Sequence, residues 1–386
     1  MRIGIMTGGG DVPGLNACIK ALVNRMIDEG HTATGIRRGW RGLLHFNPAD
    51  PISHYENTFP LNKNIVRSID RSGGTILHTS RLNPGMVEPR DAPAFLAGSA
   101  APGADGTFDY TQHILDALAF LRLDVLIVIG GDDTLSYAAR INEAGFPVIS
   151  IPKTMDNDVT GTDYCLGFST AITRSVAAIQ ELRTTVASHE RIGVIEVFGR
   201  YSGELSLISA FLSGANRAII PEVPFDPQRL AELLAADLRA TPSSYAMMTI
   251  SEGARTVGNG AAPTPLLPSE GSSRARGGSI GLVTANLLEE FSGIPTVFVQ
   301  LSFLLRAGAP DTLDTMVALN FANTAMDLVK MGQFGQMVAI NEGRYTHVAA
   351  SVPAQGPRRV EVGDLYEVDT YRPNVFRTVD KPIFLY

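Results

Sequence analysis

The chain is poor in cysteine and has neither a long apolar run nor a secretory leader, and each absence argues against a class of protein. Cys18 and Cys165 are its only cysteines, and their separation matches no metal-binding spacing. We predict that both are small buried residues. No stretch of eighteen apolar residues occurs, which argues against a transmembrane helix. The amino-terminal region lacks the apolar segment and cleavage site of a secretory signal, so a cytoplasmic enzyme is expected.

A formal net charge of −7 argues against a general nucleic-acid binder. It leaves room for an anionic small-molecule substrate, because the binding of such a substrate depends on a few local arginines. The 386 residues are 45% hydrophobic. That is enough for a large core, arranged as two domains or one large one.

Strand-like and helix-like patterns alternate along most of the chain, which favours parallel sheets flanked by helices. Strands are predicted at 2–7, 125–129, 148–151, 192–198, 246–250, 296–301 and 337–340. Helices are predicted at 15–29, 114–121, 172–186 and 311–331. Two segments rich in small residues and proline, 83–109 and 255–278, are predicted insertions. The second is the better candidate for a mobile loop.

Two short acidic segments, 130–134 and 152–158, each follow a predicted apolar strand. They read Gly-Gly-Asp-Asp-Thr and Pro-Lys-Thr-Met-Asp-Asn-Asp. We expect them side by side at the carboxyl edge of a parallel sheet, where such sheets bind ligands. Carboxylates there suit magnesium, proton abstraction and phosphate chemistry. The simpler interpretations are a helix cap at Asp132 and a solvated acidic turn at 156–158.

A glycine-rich turn at 7–16 joins the first strand to the first helix. Such a turn lets backbone N–H groups and the helix dipole approach a phosphate. It is not a Walker A loop, because no Gly-Lys-Ser/Thr follows, and an ordinary tight turn is the alternative. Arginines that follow strands or glycine turns fit bidentate phosphate binding, although any single one is more often a surface charge. They are Arg81, Arg191, Arg200 and Arg306.

Taken together, these motifs resemble the phosphofructokinase family of bacterial type. The resemblance rests on 7–16, 73–81, 130–134, 152–158, 161–164, 167–168, 189–203, 221–223 and Glu252. It implies two doubly wound α/β domains with mainly parallel sheets and an active site in the cleft between them. The expected domains are 1–170 with 310–355, and 171–309 with 356–386.

The resemblance implies magnesium-dependent transfer of a phosphoryl group to O1 of fructose 6-phosphate, as in glycolysis. Asp156 would be the general base, and Asp132 would help to hold Mg²⁺. Catalysis would also involve Lys153, Asp133, Arg200 and Thr154. The donor phosphates would contact Gly10, Arg81, Gly131, Asp133 and Lys153.

The expected sugar-phosphate contacts come from several loops, namely Thr154, Met155, Asp156, Arg191, Phe198, Gly199, Arg200, Glu252, Phe303 and Arg306. Glu252 would accept hydrogen bonds from sugar hydroxyls, with a surface carboxylate as the alternative. The resemblance implies that Arg191 reaches the site of a neighbouring subunit, which requires a dimer or a tetramer. Phe303 stands where relatives carry histidine or tyrosine, and phenylalanine has no hydrogen bond to offer a phosphate.

Asp133 and Lys153 bear on the phosphoryl donor. ATP-using members of the family have glycine at both positions, and this chain resembles the pyrophosphate-using members. A carboxylate at 133 would repel the α-phosphate of ATP, whereas a lysine at 153 would attract pyrophosphate. An exposed loop lysine is the alternative for Lys153.

The preferred function is therefore a reversible pyrophosphate–fructose-6-phosphate phosphotransferase. The alternatives are an ATP-dependent phosphofructokinase and the same phosphotransferase acting on sedoheptulose 7-phosphate. A non-catalytic sugar-phosphate sensor and a related NAD or lipid kinase are weaker, because a sensor needs no base and those kinases lack the Phe-Gly-Arg segment at 198–200.

Overall fold

The structure is a computed structural model that describes residues 1–257 and 279–374. Its strands are β1 (Arg2–Thr7), β2 (Thr32–Ile36), β3 (Thr58–Leu61), β4 (Val125–Gly130), β5 (Val148–Pro152), β6 (Ile192–Val197), β7 (Arg217–Ile219), β8 (Ala246–Ser251), β9 (Thr296–Gln300), β10 (Gln336–Asn341), β11 (Arg344–Ala349), β12 (Tyr366–Glu367) and β13 (Arg372–Pro373). Its α-helices are α1 (Leu15–Asp28), α2 (Trp40–Leu44), α3 (Pro51–Asn57), α4 (Thr111–Phe120), α5 (Asp132–Glu143), α6 (Phe168–Ser188), α7 (Glu204–Ser213), α8 (Pro227–Ala240), α9 (Ile280–Ser292), α10 (Thr312–Met331) and α11 (Val362–Leu365).

The chain forms two compact units. The first unit comprises Met1–Thr154, Val159–Ser169 and Arg306–Pro357. The second unit comprises Met155–Asp158, Thr170–Leu305 and Arg358–Tyr386, apart from the residues outside the described part. Each unit carries its own sheet, and the acidic segment 152–158 contributes residues to both units.

The first unit is built on a seven-stranded sheet in the order β11-β10-β5-β4-β1-β2-β3. Its inner strands run parallel, and β11 and β3 pair antiparallel at the two edges. Strands β4 and β5 are buried along their whole length, as in parallel sheets covered on both faces. On α1, apolar residues at helical spacing are buried, among them Leu15, Ile19, Leu22 and Met26.

The second unit holds a four-stranded parallel sheet in the order β7-β8-β6-β9. Strands β6 and β8 are buried throughout. Their register pairs Val197 with Ser251, so the loops that follow the two strands leave the sheet next to each other. A short antiparallel pair, β12 with β13, completes the described strands of this unit.

The predicted α/β fold with mainly parallel sheets is confirmed. Every predicted strand is present with bounds that differ by at most one residue, and the four predicted helices are present. The segment 83–109 contains only two short 3-10 turns, Pro89–Asp91 and Ala94–Leu96. The predicted loop 255–278 lies outside the described residues from 258 onward.

Both cysteines are buried, as expected, and burial raises the pKa of the Cys18 thiol to about 12. Among the helices of 1–257 and 279–374, none combines the length and the apolar character needed to span a bilayer.

Candidate active site

The two loops that follow β4 and β5 lie side by side, as the sequence predicts. The register pairs Gly130 with Pro152, and the N–H of Lys153 donates to the carbonyl of Gly130 at 3.0 Å. Lys153 also forms a bridge with Leu166, which ties the second loop to the following turn. This adjacency concerns the first unit, because Met155–Asp158 belongs to the second.

Lys153 is buried, with 4% of its surface exposed, so the alternative of an exposed loop lysine is wrong. Its Nζ atom would lie 2.8 Å from a Cβ atom built on Gly9 and 3.8 Å from one built on Gly131. The ammonium group therefore stands against both glycine turns. Gly9 has φ of 81°, a left-handed conformation that disfavours other residues, so no side chain stands beside the lysine at this position.

The glycine turn after β1 is also fixed by the segment that ends in Arg81. The N–H of Gly9 donates to the carbonyl of Ser80 at 2.8 Å, and the hydroxyl of Thr79 donates to the carbonyl of Gly9 at 2.7 Å. A Cβ atom at Gly10 would lie 2.9 Å from Nη1 of Arg306. The structure thus brings together Gly10, the backbone next to Arg81, and Arg306. The family resemblance implies that Arg306 contacts the sugar phosphate, and in the first unit its guanidinium lies against the glycine turn after β1.

The acidic residues of the first loop open helix α5. Gly131 is the N-cap, and its successors Asp132 and Asp133 occupy the first turn. The alternative of Asp132 as a helix cap is therefore wrong. Negative side chains are favourable at a helix N-terminus because the unpaired N–H groups there carry partial positive charge. Asp133 is exposed and Asp132 is half-buried, so both carboxylates are accessible from solvent.

Thr134 locks the start of α5 to the glycine turn. Its side chain would meet a Cβ atom on Gly8 or on Gly130 at 2.5 Å, which explains why neither position has a side chain. The indole N–H of Trp40 donates to the carbonyl of Thr134 at 3.2 Å within the core. Trp40 also packs edge-on against Tyr137, with ring centroids 4.9 Å apart. No pattern in the sequence singles out Trp40.

In the second unit, the turn 156–158 is held by two residues that the sequence did not predict. The amide of Asn157 donates to Oε2 of Glu204 at 3.2 Å, and the guanidinium of Arg358 donates to the same oxygen at 3.1 Å. The N–H of Arg358 donates to the carbonyl of Asp158 at 2.7 Å. Asn157 has φ of 54°, a left-handed conformation that asparagine tolerates better than most residues. Glu204 and Arg358 thus hold Asn157 and the carbonyl of Asp158, directly after Asp156.

Arg200 and Glu252 lie on neighbouring loops at the carboxyl ends of β6 and β8. The N–H of Glu252 donates to the carbonyl of Val197 at 3.0 Å, and the N–H of Gly253 donates to the carbonyl of Gly199 at 3.1 Å. A Cβ atom at Gly253 would lie 2.0 Å from the carbonyl oxygen of Arg200, so only glycine fits there. The structure therefore brings this predicted pair together.

Further predicted sugar contacts surround this pair. Gly199 has φ of 128°, and the N–H of Gly203 donates to both carboxylate oxygens of Glu222, at 3.0 and 3.1 Å, which fixes the far end of the same loop. Phe303 is 72% exposed and makes an edge contact with the ring of Phe198 at 6.4 Å between centroids. Met155 is buried, so its side chain faces protein.

Arg191 does not join this group. It precedes β6, whereas Phe198, Gly199 and Arg200 follow the strand. A strand of that length separates its two ends by roughly 20 Å. Within a single chain, Arg191 therefore lies at the opposite edge of the sheet from Arg200.

The described residues hold no cluster of three or more histidine, cysteine or acidic side chains suited to a metal ion. Magnesium sites in phosphoryl-transfer enzymes often use only one or two carboxylates and take their other ligands from phosphates and water. Asp132, half-buried at a loop edge beside the glycine turns, fits that kind of site.

Comparison with known proteins points to one family. The family model described as phosphofructokinase matches residues 2–329. The pyrophosphate–fructose 6-phosphate 1-phosphotransferase of Streptomyces coelicolor is 37% identical over 95% of this chain and 98% of its own length. The enzyme of the same name from Dictyoglomus thermophilum is 37% identical over 88% of this chain and 89% of its own length. An ATP-dependent 6-phosphofructokinase of Chloroflexus aggregans is 35% identical over 88% of this chain and 87% of its own length.

A crystal structure of a pyrophosphate-dependent phosphofructokinase from Marinobacter aquaeolei has a similar fold. Its TM-score is 0.75 at 16% identity, and the match covers 98% of this chain and 90% of that one. At that identity the likeness concerns the fold alone.

Proposed function

Because the chain belongs to the phosphofructokinase family, we propose that it transfers a phosphoryl group from pyrophosphate to O1 of fructose 6-phosphate. The products are fructose 1,6-bisphosphate and phosphate, and the reaction is reversible. The proposed donor-binding residues belong to the first unit, as do Thr154 and Arg306, whereas Asp156, Arg200 and Glu252 belong to the second.

The main support for pyrophosphate as the donor is that Lys153 is buried against Gly9 and Gly131. A buried ammonium group strongly favours a multiply charged anion beside it, because charge is weakly screened away from water. The two glycine turns leave room for phosphate oxygens to approach the backbone N–H groups. A lysine in this position would also stabilise negative charge that develops on the departing phosphate.

The negative charge of Asp133 also favours pyrophosphate over ATP as the donor. It stands where ATP-using members of the family have glycine, and it would face the α-phosphate of a nucleotide. Two like charges about 4 Å apart repel by about 4 kcal/mol at an effective dielectric of about 20. That energy corresponds to at most roughly a thousandfold preference against ATP, because solvent screens the exposed carboxylate. Inorganic pyrophosphate has no third phosphate to be repelled.

Asp156 is the proposed general base, which takes the proton from the sugar hydroxyl as it attacks. The hydrogen bonds of Glu204 and Arg358 to its neighbours hold the turn in one conformation. Thr154 would orient the acceptor. Arg200 and Glu252 would bind the sugar phosphate, the first through its guanidinium and the second through the sugar hydroxyls.

Mg²⁺ would be held by Asp132 together with phosphate oxygens and water. When bound, the ion neutralises charge on the phosphates during transfer. Gly10, Gly131 and Arg81 would position the donor beside it. Arg306, placed against Gly10, is suited to a donor or transferred phosphate as well as to the sugar phosphate.

Arg191 is proposed to act on a neighbouring copy of the chain. Its position at the opposite end of β6 from Arg200 makes a contact with the same sugar phosphate within one chain impractical. The active form would then be a homo-oligomer, a dimer or a tetramer. A cytoplasmic location stays a prediction.

Mixing two inactive variants tests the shared site. Asp156→Ala and Arg191→Ala chains, each purified separately, should lose activity and regain part of it after they are unfolded and refolded together. The gain is expected because a mixed oligomer contains one site with both native residues. If the mixture stays as inactive as its parts while mass spectrometry of the intact oligomers shows that both variants are present in one oligomer, Arg191 serves its own chain or none.

Initial rates decide the donor and the acceptor. We expect fructose 1,6-bisphosphate formation with pyrophosphate and Mg²⁺, and far slower formation with ATP. Sedoheptulose 7-phosphate in place of fructose 6-phosphate tests the acceptor. A faster rate with ATP than with pyrophosphate would overturn the donor assignment. Asp156→Ala should abolish turnover and leave fructose 6-phosphate binding largely intact, and undiminished turnover would remove the base from Asp156.

A further inference from the structure

An open cavity of about 780 Å³ lies in the first unit, apart from the residues assigned to the active site. Its walls come from three places: the residues around α2, the residues around α3, and the segment 83–109. Its volume falls within the range of about 300–1,000 Å³ that is usual for small-molecule sites.

One side of the cavity carries groups that can donate to an anion. The guanidinium of Arg38 donates to the carbonyl of Glu56 at 3.1 Å and to Oδ1 of Asn57 at 2.8 Å, which fixes its position. Arg41 makes no side-chain hydrogen bond or ion pair with the described residues, so its guanidinium is available. His45 also lines the cavity, and its Nε2 atom is buried and has no hydrogen-bond partner among the described residues.

The cavity lining also contains the carboxylates of Asp50 and Glu56, and the first of them has a structural role. Oδ1 of Asp50 accepts the N–H of Ile52 at 3.0 Å and so caps helix α3. Glu56 is exposed. Burial, followed by the nearby charges of Arg41 and Arg38, lowers the pKa of His45. The charges of both guanidinium groups therefore influence the imidazole ring of His45.

Another part of the lining is apolar and belongs to the segment 83–109. It is formed by Pro93, Ala94 and Phe95, and 42% of the surface of Phe95 is exposed. An exposed aromatic ring beside two arginines is suited to a molecule with a phosphate at one end and a flat or apolar body at the other.

We propose that this cavity binds a small organic phosphate, with the phosphate against Arg38 and Arg41 and the body against Phe95. The juxtaposition of a fixed arginine, an unpaired arginine and an apolar wall from an inserted segment carries the proposal. It is independent of the donor used at the active site.

The single tryptophan of the chain provides the assay, because Trp40 directly precedes Arg41 in α2. Adenosine 5′-monophosphate is the probe, since it carries both a phosphate and a flat ring. We expect its addition to the full-length protein to change the tryptophan fluorescence saturably. Adenosine, which lacks the phosphate, and inorganic phosphate, which lacks the ring, should bind at least about tenfold more weakly.

Three variants locate the binding. Arg41→Ala should weaken it about tenfold to a hundredfold, because a hydrogen bond to a charged group is lost. Arg41 is exposed and alanine favours helices, so the fold should persist. Arg344→Ala, an exposed arginine on β11, is the matched control and should bind normally. Lys153→Met should also bind normally, which separates the cavity from the donor site.

Two results would overturn the proposal. One is the absence of saturable binding up to about 5 mM probe, which would correspond to negligible affinity. The other is binding that survives Arg41→Ala and disappears in Lys153→Met, which would place the probe at the donor turns. Neither result bears on the rates with pyrophosphate and fructose 6-phosphate, so the proposed function stands or falls separately.

Discussion

Removing the charge of Asp133 is the sharpest test of donor choice. Two variants separate charge from shape: Asp133→Asn keeps the size of the side chain, and Asp133→Gly removes the side chain altogether. If repulsion of the nucleotide excludes ATP, both variants should use ATP better than the wild type. If bulk excludes it, only Asp133→Gly should.

The structure limits the size of this effect. Asp133 is exposed in the first turn of α5, so solvent screens its charge. At a separation of about 4 Å the repulsion ranges from about 1 kcal/mol in bulk water to about 4 kcal/mol at an effective dielectric of about 20. We therefore expect kcat/KM for ATP to rise between about fivefold and a thousandfold in Asp133→Asn.

The same substitution has a small cost in stability. A carboxylate in the first turn of a helix contributes about 0.3–1 kcal/mol, so Asp133→Asn should lower the free energy of unfolding by no more than about 1 kcal/mol. Thermal unfolding checks that the variants are folded. Steady-state rates with each donor, at saturating fructose 6-phosphate and Mg²⁺, then give the ratio of kcat/KM values. An unchanged ratio in both folded variants would refute the reasoning.

Three further changes test other parts of the site. Gly9→Ala places a methyl group 2.8 Å from Nζ of Lys153 in a left-handed backbone, so KM for pyrophosphate should rise, and kinetics check it. Its free energy of unfolding should fall by about 1–2 kcal/mol, and unchanged values for both would contradict the assigned geometry. Glu204→Ala removes the carboxylate that holds Asn157, so kcat should fall at least about tenfold, whereas normal turnover would show that the turn needs no such support. Burial raises the pKa of Glu196 above 4.5, so the folded protein loses stability as its carboxyl ionises with rising pH. Glu196→Gln should therefore gain stability relative to the wild type as the pH rises through the raised pKa of Glu196, and a difference in unfolding temperature that does not change with pH would contradict this.

The strands that could be predicted from the sequence are those with a clear apolar pattern. Strands β4 and β6 are buried throughout, and a strand covered on both faces reads as an apolar run. Strand β2 is mostly small and polar, and β7 has only three residues, so neither stands out from its surroundings. Their place in the sheets depends on pairing with neighbours that are distant in the chain.

The candidate site likewise has parts that the sequence predicts and parts that it does not. The loops after β4 and β5 were predictable because parallel strands end at a common edge. The conformation of the turn at Asn157 was not, because it depends on Glu204 and Arg358, which are 47 and 201 residues away in the chain. Contacts between residues so far apart in the chain leave no pattern in the local sequence. Glu204 is a buried acidic residue at the start of α7. It can be recognised as unusual only when its burial is known.

The phosphoryl donor has to be inferred from individual residues such as Lys153. Relatives named for pyrophosphate and relatives named for ATP resemble this chain to similar extents, so overall identity does not separate the two donors. The frame that holds the donor, set by the register of β4 with β5 and by the glycine turn after β1, needs only glycines and buried apolar strands. A change of charge at the first turn of α5 and at the end of β5 leaves that frame intact. On the proposed assignment, two substitutions at positions 133 and 153 would alter the donor without altering the fold.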